Sequence, residues 1–285
     1  GTSVSKSSVS AVCKDLDQEV SAFRSRPIEG NYPFLTVDAT YFKVRENNRV
    51  TSKALMIAYG TNRQGKREIL GFSAYRNESK DTWTDFLKGL KKRGLCGVMM
   101  ITSDAHEGII NAINKVFPDV PWQRCQFHFS RNISDKVPKK YQSGIRSELQ
   151  DMFNCKTLKE ARAKRSQIIT DYQDVAKEAM SCLDEGFESA MTVMTLPSGM
   201  RKYYRTSNHI ERLNKELKRR SKVIGIFPNE NSLIRLMGSV LIEQNSISQA
   251  RKSIFGEDAY QKLLESNVRE ELHHIAEEQT ALLSA

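Results

Sequence analysis

Three runs of β-branched and aromatic residues lie close together early in the chain, and the segments between them are too short to hold a crossover helix. They are FLTVDATYFKV (Phe34–Val44), KALMIAYGTN (Lys53–Asn62) and EILGFSAY (Glu68–Tyr75), separated by the polar turns RENNR and RQGKR. Turns of hairpin length between such runs specify an antiparallel meander. A helix follows in SKDTWTDFLKGLKKRG, where Trp83, Phe86, Leu87 and Leu90 share one face and Gly94 suits a C-cap. The pattern then alternates. Strand four, GVMMITSDAHEG, is apolar until Asp104; the helix GIINAINKVFP comes next, and then strand five, VPWQRCQFHF.

This βββαβαβ order predicts an α/β fold of the ribonuclease-H-like arrangement, a five-stranded mixed sheet flanked by helices. Crossovers are right-handed and join adjacent strands, so strand four is expected parallel beside strand one. That expectation puts Asp38 and Asp104 on neighbouring strands. Asp38 stands inside an apolar run, where an unpaired charge is costly. Residues 132–199 have helical periodicity and many Lys, Glu and Gln, which predicts an all-helical insertion between strand five and the helix carrying Glu211. The expected organisation is a partial helix-turn-helix remnant and linker helix over 1–28, a core of 29–131 with 200–250, the insertion over 132–199, and a helical tail over 251–285. VIGIFP (Val223–Pro228) reads as a short hydrophobic connector.

Charge narrows the function. The 285 residues carry a net +10. From Arg201 to Lys222, nine Lys/Arg stand against Glu211 and Glu216, a local excess of +7. A field of that kind suits a polyanion, most simply nucleic acid; a solvated helix face is the plainer alternative. With 39% hydrophobic and 27% charged residues the composition is globular and not disordered. No apolar run reaches the ~18 residues of a membrane span. Five scattered cysteines suit a reducing compartment better than a disulfide framework.

In TSNHIERLNKELKRR, Ile210, Leu213 and Leu217 form one helical face, while Glu211, Asn214, Lys215, Lys218 and Lys222 form another stripe. A carboxylate followed by amide and basic groups suits a metal ligand beside a phosphate backbone. Asn208 and Glu211 also have capping-box spacing, so the carboxylate has a structural alternative. Glu78 and Glu107 are rival carboxylates, Glu107 being placed to favour a helix N-terminus. Cys125-x-x-His128 suggests zinc, but a structural site needs four ligands and the sequence holds no second Cys/His cluster. Arg124 and Arg131 flank this pair and are reasonable phosphate contacts.

LTVDATYFKV, ITSDAHEGI, WQRCQFHFSRN and TSNHIERLNKELKRR followed by VIGIFPNENSLIRL resemble, in this order and spacing, the Mutator-like transposases of the bacterial IS256 group. The resemblance runs from about Val9 to Gly256. It implies a DDE triad on the ribonuclease-H-like fold, with Asp38, Asp104 and Glu211 as the catalytic residues and metal ligands. It further implies two Mg²⁺ ions, which Mn²⁺ can replace, and metal-dependent cleavage at element ends followed by strand transfer by a 3′-hydroxyl. The DNA-binding residues expected are Arg124, His128, Arg131, Arg212, Asn214, Lys215, Lys218, Arg219 and Arg220. The implied partners are double-stranded DNA, both terminal repeats and target, and a second copy in a homodimer on paired ends, with no membrane. The implied location is the bacterial cytoplasm, at the nucleoid. Members carry more DNA-binding sequence before the segment that begins here, so the chain is expected to be a fragment. Another ribonuclease-H-like nuclease or integrase, or a domesticated DNA-binding protein without catalysis, are the alternatives.

Overall fold

The computed structural model describes residues 5–284. The first four residues of the expected remnant 1–28 and the last residue of the expected tail 251–285 lie outside the described residues. The chain opens with α1 (Lys6–Ser25), β1 (Phe34–Glu46), β2 (Arg49–Thr61), β3 (Arg67–Tyr75) and α2 (Lys80–Lys92). It continues through β4 (Met100–Ser103), α3 (Glu107–Val116), β5 (Trp122–Arg124) and α4 (Gln126–Asp135). Four more helices follow: α5 (Gln142–Phe153), α6 (Leu158–Tyr172), α7 (Lys177–Met191) and α8 (Ser198–Tyr204). The last elements are α9 (Asn208–Ser221), β6 (Ile226–Phe227), α10 (Glu230–Ala250), α11 (Glu257–Glu265) and α12 (Val268–Ser284). This mixed α/β chain divides into two compact units at Val98/Met99, Asn208/His209 and Gly256/Glu257.

The first unit is built on the meander. β2 pairs antiparallel with both β1 and β3. Asn47 and Asn48 alone separate Glu46 from Arg49 in the β1–β2 hairpin, at φ 48° and 60°. A two-residue turn whose twist matches the strands needs positive φ at both positions, and asparagine tolerates it best after glycine. Towards this turn β1 alternates, with Thr40, Phe42 and Val44 buried and Tyr41, Lys43 and Arg45 exposed. β2 is central, and its residues from Lys53 to Thr61 are all buried. The buried ammonium of Lys53 pairs with Glu46 and Glu230 at 2.8 Å each. The β2–β3 register slips between Ala58 and Tyr59, and there the Ile69 N–H donates to Asn245 Oδ1 of α10 at 2.8 Å. Leu233, Met237, Val240 and Leu241 of α10 join Val20 of α1, Phe72 of β3 and Ile210, Leu213 and Leu217 of α9 in one core.

The segment expected as a connector carries a strand. Ile226 and Phe227 pair parallel with Lys43 and Val44, and the buried Phe227 ring meets Phe42 edge-on at 6.1 Å. Two residues hold no periodicity, so the ladder is visible only in three dimensions.

In the second unit, β4 and β5 pair parallel, Ile101 with Trp122 through Ser103 with Arg124. The strand expected over VPWQRCQFHF ends at Arg124, because Cys125, Phe129 and Ile133 recur at i, i+4 and i+8, the period of a buried helix face. Phe129 and Ile133 pack with Ile145, Leu149 and Met152 of α5, Ile168 of α6, and Leu183 and Phe187 of α7. Gln279 of α12 covers the edge of β5: the Trp122 N–H donates to its Oε1 at 2.7 Å, and its Nε2 donates to the Trp122 carbonyl at 2.9 Å. A side-chain amide thus takes the place of a neighbouring strand. No helix among the described residues is long and apolar enough to cross a membrane.

The turn has a direct test. Asn48→Val forces a β-branched residue into positive φ and should cost about 1–2 kcal/mol in urea unfolding, whereas Asn48→Gly should unfold at or above the wild-type midpoint.

Candidate active site and basic helix

Burial of Ile210, Leu213 and Leu217 fixes the rotation of α9 and decides where its polar side chains lie. Asn214 reaches β1, where its Nδ2 donates to Asp38 Oδ2 at 2.7 Å. Asp38 Oδ1 accepts the N–H of Ala39 at 2.9 Å. These two donors fix the orientation of the half-buried carboxylate. Asn214 must present its NH₂ to a carboxylate, which is acceptor-only, so its Oδ1 points the other way. That oxygen is buried and makes no hydrogen bond among the described residues. Glu211 lies three residues earlier, in the first turn of α9 and half-buried. With Asn208 as the first helical residue, Ser207 takes the N-cap position and Ile210 the N3 position, so Glu211 falls one position beyond the capping-box site.

Asp38, Glu211 and the amide oxygen of Asn214 are hard oxygen donors, the kind of atom that Mg²⁺ takes. Asp104, in the second unit, follows β4 directly. Its Oδ1 accepts the His106 N–H at 3.3 Å and its carbonyl accepts Ser103 Oγ at 2.8 Å. Ser103 Oγ in turn accepts Trp122 Nε1 at 2.9 Å, so the strand end is held by its neighbour. Of the rival carboxylates, Glu107 is exposed in the first turn of α3, while Glu78 bonds Tyr41, whose hydroxyl pKa is raised by burial first and by Glu78 second.

The basic run divides into engaged and open cations. Lys218 donates to the Tyr41 carbonyl and stands 4.5 Å from the centre of the Phe42 ring, and burial lowers its pKa. Its charge is a clamp on β1. Glu216 accepts Arg219 through a two-pronged contact at 2.8 and 2.7 Å and Arg220 Nε at 2.8 Å; Arg220 also reaches Glu243 at 3.1 Å. The two guanidinium groups draw the Glu216 pKa down to about 2. Arg212 and Lys215 are exposed, and no carboxylate pairs with them among the described residues.

Around Cys125, which occupies the N-cap position of α4, the second unit gathers donors. Burial raises the pKa of the thiol, but donation from His128 and Ser207 outweighs it and leaves the thiol below its ordinary value. The Ser207 N–H and hydroxyl approach its Sγ at 3.3 and 3.1 Å. Arg124 lies 4.3 Å from the centre of the Phe129 ring beside Gly186, where a Cβ would come within 2.4 Å of the guanidinium, and burial lowers its pKa. Arg131 is exposed and pairs loosely with Asp135 at 3.7 Å. Sequence reasoning named Asn214 and Lys218 for DNA; their contacts here are with β1. The available signal was their spacing, i+3 and i+7 from Glu211, on the stripe that flanks the buried face.

These features define a mixed α/β protein whose first unit sets a carboxylate–amide–cation helix against an aspartate-bearing strand. The model of the family described as "Transposase, Mutator family" matches residues 1–250. The transposase for insertion sequence element IS256 in transposon Tn4001 of Staphylococcus aureus is 44% identical over 259 residues, covering 89% of this chain and 66% of its own length. The transposase of the same description from Enterococcus faecalis gives the same figures. The transposase for insertion sequence element IS1081 of Mycobacterium tuberculosis is 38% identical over 245 residues, 86% of this chain and 59% of its own length. The chain belongs to the Mutator family of transposases. It spans 66% of the length of the IS256 relatives.

Two outcomes follow for α9. Asn214→Ala removes a hydrogen bond to Asp38 worth about 1.5–3 kcal/mol and with it a buried, unsatisfied oxygen that costs about 1–3 kcal/mol, so the unfolding free energy should fall by less than about 1.5 kcal/mol in urea unfolding. For Glu216 the folded pKa is depressed, so its stabilisation is present above the ordinary 4.5 and is lost as pH falls through about 2. Glu216→Gln should flatten the thermal stability profile across that acid window, and added salt should shrink the difference because the pairs are exposed.

Proposed function

We propose that the chain carries the catalytic part of a DNA transposase, cleaving at element ends and joining the freed strand to a target. The observation that carries this reading is the hydrogen bond to Asp38 from Asn214, on the helix that also bears Glu211. Glu211 and Asp38 would hold divalent metal, with the buried Asn214 oxygen beside them. Asp104 joins the set on the strength of the ITSDAHEGI block, and the ribonuclease-H-like arrangement with a helical insertion over 132–199 belongs to the same proposal.

When bound, two Mg²⁺ ions would supply the charge that stabilises the attacking and leaving oxygens of an in-line displacement. The residues of the chain do the rest. Asp38 and Glu211 keep two negative charges at the site, and Asn214 fixes the Asp38 carboxylate while leaving it anionic. The seating of Ile210, Leu213 and Leu217 holds Glu211 in place. Arg212 and Lys215, open on the same helix, would take backbone phosphates. In the first step water attacks phosphorus and the 3′-oxygen leaves. In the second, that 3′-hydroxyl attacks a target phosphodiester, forming one P–O bond and breaking another. Double-stranded DNA is the partner, and a second copy on the paired end completes the assembly. The proposed place of action is the bacterial cytoplasm, at the nucleoid.

Glu211→Gln is the decisive variant. It keeps the side-chain shape and removes the charge. Mg²⁺-dependent cleavage and strand transfer should both fall by more than the ~10–100-fold that loss of a merely supporting side chain costs. The metal-free melting temperature should hold or rise. A well-folded variant with wild-type strand transfer would move the search to Glu107.

A further inference from the structure

The first unit holds a second cationic site that shares no residue with α9. It is a cavity of about 520 Å³, within the ~300–1,000 Å³ of ligand-sized pockets. Arg24 of α1, Lys88 and Lys92 of α2 and Arg93 at the C-cap of α2 line it; Asp85 is the one carboxylate in its wall and already accepts the Tyr75 hydroxyl at 2.8 Å. Glu68, the acid beside this cluster, is taken up by Arg26 at 2.8 Å and by the Tyr32 hydroxyl at 2.6 Å. The positive charge in the wall is therefore in excess.

Two features go beyond the ordinary preference of cations for the last turn of a helix. Arg93 is built into place: its Nε donates to the Arg26 carbonyl at 2.8 Å, and a Cβ at Gly71 of β3 would lie 2.9 Å from its Nη1. Only a strand residue without a side chain lets the guanidinium lie there. Its Nη2 is buried and makes no hydrogen bond among the described residues, so its charge is not spread onto a partner there. Arg24 is fixed as well, donating to the Phe72 carbonyl at 3.3 Å and to Ser73 Oγ at 3.2 Å. Burial, then the charges of Arg26 and Arg24, bring the Arg93 pKa down to about 10 against the opposing charge of Glu68. Lys88 and Lys92 add like charges at i and i+4, an arrangement that weakens a helix unless an anion lies between them.

We propose that this cavity binds phosphodiester groups, taking the backbone of nucleic acid at a place separate from the face of α9. The polymer rests on the DNA reading proposed above; the anion chemistry rests on the cavity alone.

Duplex binding by the chain, followed by fluorescence anisotropy from about 50 to 200 mM salt, tests it with Lys88→Gln/Lys92→Gln, both exposed on α2. The slope of log affinity against log salt should fall by about 0.9 for each lost contact, close to 1.8 for the pair. An unchanged slope in a variant that melts like wild type overturns the proposal. If the wild type binds no duplex, the DNA reading fails, and the cavity is judged with tripolyphosphate. A rise in melting temperature seen in the wild type and lost in the variant supports an anion site filled by a soluble polyphosphate. An equal rise in both, or none in either, overturns it.

Discussion

Ile210, Leu213 and Leu217 turn one face of α9 into the core built by β1, β2, β3 and α10. Each such side chain contributes about 1.5–3 kcal/mol when fully buried, so the three together hold the helix against any single polar contact on its flanks. Their burial sets the azimuth of every other residue on the helix. Asn214 then meets Asp38 and Lys218 meets the Tyr41 carbonyl, while Arg212 and Lys215 stay in solvent. The polar arrangement is a consequence of the hydrophobic one. A rotation of α9 by one residue would remove both contacts to β1 at once.

The same reasoning explains how far the sequence could be read. The meander was legible because alternation along β1 and a hairpin-length turn between strands are both local signals. β5 was read too long, since WQRCQFHF is as apolar and aromatic as a strand; only the spacing of Cys125, Phe129 and Ile133 reveals the helix, and that spacing runs past the end of the motif. β6 leaves no trace in two residues. At the candidate site, carboxylates in apolar settings stand out from composition alone, as Asp38 did. The partner of a carboxylate does not, because 176 residues separate Asp38 from Asn214.

Charge counting met a similar limit. The excess of +7 between Arg201 and Lys222 pointed to a local field suited to a polyanion. In the folded chain Glu216 forks onto Arg219 and Arg220, Glu243 reaches Arg220, and Lys218 is spent on a carbonyl and the face of Phe42. What remains open on α9 lies towards its N-terminal half, at Arg212 and Lys215, on the turns that flank Glu211. A formal charge sum locates a field; pairing decides which cations can leave water for a phosphate.

The choice of asparagine beside Asp38 has its own logic. A lysine there would stabilise the carboxylate more strongly through full opposite charge. It would also bring a positive charge to the place where, on the proposed function, the carboxylate faces metal cations, and like charges repel. An amide donates one N–H without cancelling the charge of Asp38, and its second polar atom is an oxygen. Asn214 therefore orients the carboxylate without cancelling its charge, and its own oxygen is left buried with no hydrogen bond among the described residues. Holding that oxygen buried without a partner costs stability in the free protein, about 1–3 kcal/mol for an unsatisfied group. Such a cost is tolerated where a ligand removes it, and the three leucine and isoleucine anchors of α9 are what keep the amide from turning away.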